Sequence, residues 1–253
     1  APEAIGEIRA KDADRGQILA ELNEGISVLA QFETLNALLQ TRYSCRAFLD
    51  RPVAHSDIEK IVEAAQRVPS WCNAQPWQLI LCEGAQTKML AAALTEAANE
   101  GLQAPEIPFP ESYSGKYKHR RSTCGWQLYE AVGVAKGDRA ASRQQMLENY
   151  RFFNAPQVAI LTIPKELGAY AALDAGAFIT AFTLAAQALG IATIAQAAIA
   201  GMAPILREKL QIEADRDILC AVSFGYEDKH HPANAFRTKR AGVQEVMRWH
   251  KPD

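Results

Sequence analysis

Apolar residues along this chain fall into two kinds of stretch. Some repeat at a helical period, and others are short unbroken runs of strand length. Phe32, Leu35, Leu38 and Leu39 predict a short helix over 32–40. Ile58, Ile61, Val62 and Ala65 predict another, opened by a capping box at Ser56-Asp57-Ile58-Glu59. That helix should stop near Val68, because Pro69 disfavours helical geometry in the residue before it. Further helices are predicted over 87–100, 120–135, 138–153 and 204–210, the middle two joined by a Lys136-Gly137 turn. The runs 79–83 and 158–163 read as buried strands, and 191–196 and 218–224 as two more.

The stretch from Tyr170 to Leu189 stands apart. It is apolar nearly all round, with a lone Asp174, and Gly190 caps it. A helix of that kind is buried on most sides, at the centre of a domain or at a subunit interface. Residues 103–119 hold Pro105, Pro108, Pro110 and Gly115 among Phe109, Tyr113 and Tyr117, and predict an irregular binding or lid segment. Residues 1–30 read as a peripheral arm with weak helical periodicity. No repeat or linker divides 31–253, which is expected to be a single domain. Its last segment, Val243 to Trp249, has an apolar bias.

Composition narrows the function. A net charge of −2 argues against a general nucleic-acid partner, so the basic residues must be used locally. No apolar run approaches the roughly 18 residues of a membrane span, and no signal-peptide core stands near the start. The five cysteines are odd in number and form no Cys-x-x-Cys, which favours reduced thiols and a cytoplasmic setting. The histidines show no metal spacing. Phosphate-loop, dinucleotide and nucleophile-elbow glycine motifs are missing.

Two stretches carry candidate chemistry. Thr41 to Phe48 places Arg42, Ser44 and Arg46 at alternate positions, which share one side of an extended segment. Guanidiniums are permanently charged fork-shaped donors, and a serine hydroxyl approaches phosphate closely. The same residues also read as a solvated turn. Farther on, Pro69-Ser70-Trp71-Cys72-Asn73-Ala74-Gln75-Pro76-Trp77 brackets two amides with prolines and tryptophans. Such amides can donate to and accept from the edge of a heterocycle.

Four pieces in order resemble the nitroreductase-type FMN proteins, from about residue 33 to the end. They are Arg42-x-Ser44-x-Arg46-x-Phe48, the loop from Pro69 to Trp77, Asp174-x-Gly176 leading to Leu189-Gly190, and Arg240 before Val243-x-Glu245-Val246. Tyr117-x-x-Arg120-Arg121 and the following helix are similar to the branch that reduces nitroaromatics. The resemblance implies an α+β fold, with a mainly antiparallel central sheet flanked by helices. It also implies an intertwined homodimer with FMN at the interface and NADH or NADPH as hydride donor. By position, Arg42, Ser44 and Arg240 would hold the FMN phosphate, with Arg237 as a second candidate. Tyr43 would contribute through its backbone, standing where a second basic residue is frequent. Arg46 would reach the N1/O2 side of the ring, where a cation stabilises the reduced form. Asn73 would bond the pyrimidine edge. Pro69, Ser70 and the backbone around Gln196 and Ala197 would line the ring. Trp71 would narrow the substrate slot, unless it is core packing. Tyr113 and Tyr117 would close over the substrate or anchor their loop. Cys45 and Cys72 read as inert small hydrophobes. The implied activity is ping-pong reduction of nitroaromatics to nitroso and hydroxylamine products. The alternatives are another reductase, dehalogenase or flavin-destroying enzyme of this fold, or a non-catalytic flavin binder.

Overall fold

The computed structural model describes residues 28–251. The described residues form two compact units, one ending at Arg42 and the other starting at Tyr43. In the first, the helix expected over 32–40 belongs to a longer one, α1, whose described part covers 28–41. Most of the proposed 1–30 arm lies outside the described residues.

The second unit is built on four strands: β1 (Gln78–Glu83), β2 (Gln157–Pro164), β3 (Ala192–Gln196) and β4 (Arg216–Gly225). They pair antiparallel throughout, in the order β1-β2-β4-β3. The two central strands are apolar on both faces, which is why they read as unbroken runs. Val158, Ile160, Ile218 and Ala221 face one core; Ala159, Leu161, Ile163 and Val222 face the other. Helix α3 (Gly84–Asn99) covers the first face with Leu90 and Leu94, joined by Leu206 of α7 (Ala203–Leu210). Helices α2 (His55–Ala65) and α6 (Gly168–Ala188) cover the second with Ile61, Phe178 and Phe182. Helices α4 (Gly115–Ala131) and α5 (Arg139–Leu147) bridge the long middle of the chain.

One irregularity sits in the sheet. Leu161 pairs with Cys220 and Thr162 with Ile218, so Leu219 is an extra residue in β4. Both Leu219 and Cys220 turn to the α2/α6 core, as a bulge requires. Arg216 fills the bend: its Nε donates to Thr162 Oγ1 at 2.8 Å and one Nη to Thr162 O at 2.9 Å.

Several boundaries differ from the pattern reading, each for a physical reason. Ser56 does not cap α2. The extended chain ends at Ala54, whose carbonyl accepts from Asp57 and Ile58, so Ser56 is already helical. Strand β1 is an edge strand, paired with β2 alone, and only Cys82 along it is buried. Helix α4 begins at Gly115, which shortens the irregular segment. Helix α5 starts as expected at the Asp138 cap, whose carboxylate accepts from Ala141 N–H at 2.9 Å. It ends at Leu147 and passes through turns to Phe152, Phe153 and Asn154, whose left-handed φ values of 56°, 53° and 61° bar any helix continuing to Phe153. Burying both phenyl rings offsets that strain. Finally, α6 is buried on one side only. Asp174, Phe178 and Phe182 face the core, while Tyr170 and Leu173 are 56% and 68% exposed. By length and composition Lys165–Ala188 is apolar enough to cross a membrane, which an unbroken-run criterion overlooked because Asp174 and small polar residues interrupt it.

Candidate active site

The basic segment is laid along the ends of β3 and β4. Ser44 bridges Thr193, and Cys45 N–H donates to Thr193 O at 3.0 Å. Phe48 bridges Glu227, and Leu49 N–H donates to Tyr226 O at 2.8 Å. Gly225 permits this closure: a Cβ there would lie 2.8 Å from Pro156 Cδ and 3.4 Å from the Phe48 ring. Alternation then sends Cys45 and Ala47 inward and leaves Ser44 and Arg46 partly accessible. Burial pushes the Cys45 thiol up to about 11, which agrees with an inert thiol. Arg42 ends the other unit, its N–H closing α1 on Leu38 O.

Arg46 is the unusual cation. Its Nη1 donates to Ser44 O at 3.0 Å, and its guanidinium sits 5.6 Å from the Phe236 ring centre. Burial lowers its pKa. Among the described residues no carboxylate forms an ion pair with it. A half-buried guanidinium without a counter-ion suits an anionic or electron-rich ligand edge.

Tyr43 does more than lend its backbone. Its hydroxyl donates to Glu227, and the Arg237 guanidinium lies 3.5 Å over its ring. Burial raises the Tyr43 pKa, and the bond to Glu227 adds to the rise. Arg237 also donates to Asn234 O at 2.7 Å, so the C-terminal basic cluster is pinned beside the basic segment. Arg240 is exposed and bonds within its own stretch, to Thr238 Oγ1 at 2.7 Å.

The second group is the loop after α2. Cys72, Asn73 and Gln75 take left-handed φ values of 49°, 57° and 49°. Ser70 Oγ accepts from Gln75 N–H at 3.0 Å and Ser70 O from Asn73 N–H at 3.0 Å. One stripe of α6 templates both ends of this loop. Tyr170 packs on Trp71 with ring centres 4.9 Å apart, and the Asp174 carboxylate accepts from Trp71 N–H at 3.0 Å. Phe178 stacks on Trp77 at 5.0 Å. These residues stand at i, i+4 and i+8, one face of a helix. Arg216 adds a bond to Pro76 O at 2.8 Å. Trp71 itself is 62% exposed, so it is not core packing, and Pro69, Cys72 and Asn73 are also exposed.

Gln196 ends β3 fully engaged: its Nε2 donates to Asn149 O at 2.9 Å and its Oε1 accepts from Ser223 at 2.5 Å. Ala197 beside it is exposed. Tyr113 and Tyr117 lie at the start of α4, partly exposed, with Arg121 and Lys116 over their rings at 5.3 and 5.7 Å. Arg120 joins α4 to the C-terminal segment through Glu245 at 2.7 Å. Pattern reading missed Glu227 and Asn234, which organise the basic segment. Neither belongs to a periodic stretch, and their partners lie some 180 positions away.

The chain is similar to known proteins over most of its length. The sequence model of the Nitroreductase family matches residues 39–226. A 4-nitrobenzoate reductase of Nocardioides sp. (strain LMS-CY) is 33% identical over 220 residues, 85% of this chain and 89% of that protein. Nitroreductase NfnB of Mycolicibacterium smegmatis (strain ATCC 700084 / mc(2)155) is 34% identical over 213 residues, 84% of this chain and 91% of that one. The crystal structure of FMN-dependent NfnB from Mycobacterium smegmatis in complex with NADPH superposes with a TM-score of 0.83 over 88% of this chain and 100% of that one. On the match of its sequence and the agreement of its fold, the chain belongs to the nitroreductase family.

Proposed function

We propose that this protein is an FMN-dependent, NAD(P)H-dependent nitroreductase acting on nitroaromatic compounds. The observation that carries the reading is Arg46, a half-buried guanidinium without a carboxylate partner among the described residues, in a family whose NfnB member is described as FMN-dependent. The residues present fit FMN. Ser44, Arg42, Arg237 and Arg240 would hold the phosphate, Arg42 and Arg240 on sequence position alone. Arg46 would stand at the N1/O2 side of the ring, with Asn73 at the pyrimidine edge and Pro69, Ser70, Gln196 and Ala197 around it. The chemistry FMN supplies when bound is a two-electron relay, from NAD(P)H to the nitro group in separate half-reactions.

The protein's own contribution is electrostatic and positional. Arg46 keeps a fixed positive charge where negative charge gathers on reduction, and it needs no proton transfer to do so. The left-handed turns at Cys72, Asn73 and Gln75 present amides and an open indole on a loop that Asp174 holds in place. No side chain is required as a nucleophile, and protons can come from water. We also infer a homodimer. The uncovered face of α6 with Leu173 and the exposed Val246 and Trp249 support it.

The reading is tested by FMN titration, followed as fluorescence quenching. Arg42→Ala and Arg240→Ala should each weaken binding by roughly 1.5–3 kcal/mol, the worth of a charge-assisted bond. Wild-type affinity in both variants would overturn the phosphate assignment. A colourless protein that takes up no FMN would overturn the function.

Trp71 should govern substrate shape. A rigid exposed indole beside the ring can stack on a flat acceptor, worth roughly 0.5–1.5 kcal/mol beyond buried area. Trp71→Ala is expected to bind FMN and accept hydride from NAD(P)H at a near wild-type rate. Stopped-flow reoxidation by small nitroarenes should slow, and bulkier acceptors should become relatively better. An equal loss with every acceptor would refute the shape argument.

A further inference from the structure

Asn234 belongs to none of the motifs above, yet its side chain is the most heavily bonded group beside Arg46. It is 4% exposed. Its Oδ1 accepts from Arg46 N–H at 2.7 Å. Its Nδ2 donates to Ala47 O and to Asp228 O, both at 2.9 Å. Its own carbonyl accepts from Arg237 at 2.7 Å. A primary amide offers two donors and an acceptor, and here every one is used. An aspartate would turn a second acceptor toward two carbonyls. A leucine of similar size would leave the Arg46 N–H unpaired and take one bond each from Ala47 O and Asp228 O, which keep the N–H groups of Asp228 and His231.

The placement of Arg46 depends on this anchor. Its guanidinium folds back onto Ser44 O at 3.0 Å, so the head group follows the main chain at Ser44 to Ala47 and does not swing freely. That main chain is fixed on one side by Thr193 and on the other by Asn234. We propose that Asn234 is a positioning residue: it holds the Arg46 main chain, and Arg237 with it, at the distance that sets how strongly the Arg46 charge acts on the bound ring. This rests on the functional reading above. A displaced cation stabilises the reduced ring less, so the reduction equilibrium of the bound cofactor should fall when Asn234 is altered. A residue that merely supports the fold would lower stability and leave that equilibrium alone.

The test is the two-electron midpoint potential of the FMN-loaded protein, measured by spectroelectrochemistry in four forms: wild type, Asn234→Gln, Arg46→Ala and the double variant. Glutamine keeps the amide and adds one methylene, so the bonds can re-form with the main chain displaced. Asn234→Ser is a second, smaller variant in case the longer side chain prevents folding. Altering Asn234 alone should lower the reduction equilibrium constant about tenfold, equal to about 30 mV for a two-electron couple. In the Arg46→Ala background the same change should shift it by less than a third as much. Equal shifts in both backgrounds, or no shift beside an intact Arg46, would overturn the proposal while leaving the functional reading in place. A wild-type protein that takes up no FMN would overturn both.

Discussion

Truncation after Lys239 is expected to abolish the soluble dimer and FMN binding together. The removed piece carries Arg240 and four large apolar side chains, Val243, Val246, Met247 and Trp249. Trp249 is 76% exposed and Val246 77%. Side chains of that size grouped in water need a covering surface. The free face of α6, with the exposed Leu173, would offer apolar area on a second copy. Glu245 also pairs with Arg120, so α4 loses a tether in the same cut. That exposed pair is worth under about 1 kcal/mol, which makes apolar burial the decisive loss. Sedimentation and flavin absorbance on the purified variant check both halves. A stable flavin-loaded monomer would refute the dimer.

Phe178→Ala should be the most destabilising single substitution named here, at about 3–5 kcal/mol. The ring is 1% exposed and packs between Trp77 and Phe182, at 5.0 and 6.4 Å. Truncation leaves a cavity under the sheet and removes one of the partners that fix the end of the loop 69–77. Denaturant unfolding measures the first effect. The second should appear as weaker FMN binding in protein that is still folded, because the Arg216 bond to Pro76 O and the Trp77 bond to Gln66 would then hold the loop's end without the stacked ring. Tyr170→Ala gives the contrast. Its ring is exposed and touches Trp71 alone among the aromatic pairs, so stability should change by under about 1 kcal/mol.

These contrasts show what a linear sequence discloses. Val158 to Ile163 and Ile218 to Phe224 were legible as strands because a strand covered on both faces needs apolar residues at every position. The nearly all-apolar α6 was legible as a helix, but its composition did not disclose that one side stays uncovered. Cys82 and Leu81 looked alike in sequence, and only the order of strands made β1 an edge. The shared exposure of Ser44 and Arg46 followed from alternation, since alternation is a local property. The bond from Asn234 to Arg46 did not, because it joins residues 188 positions apart and leaves no periodic trace. Tyr43, Glu227 and Arg237 form a stack that is equally silent in sequence. The left-handed turn at Phe152 to Asn154 was hidden behind residues that ordinarily continue a helix.

The extra residue at Leu219 bears on how this sheet can change over evolutionary time. Along β2 and β4, adding or losing one residue rotates every side chain beyond it to the opposite layer, and two cores would need rewriting at once. At Leu219 the chain already carries an additional position, with its neighbour turned to the same side. Deleting it would restore plain alternation: Ile218 keeps its face and Cys220 keeps its own. Length variation by a single residue is therefore tolerable at this one point of the central strands. Among related chains, insertions and deletions in the sheet should gather there, next to the arginine that ties the strand to the loop ending at Trp77.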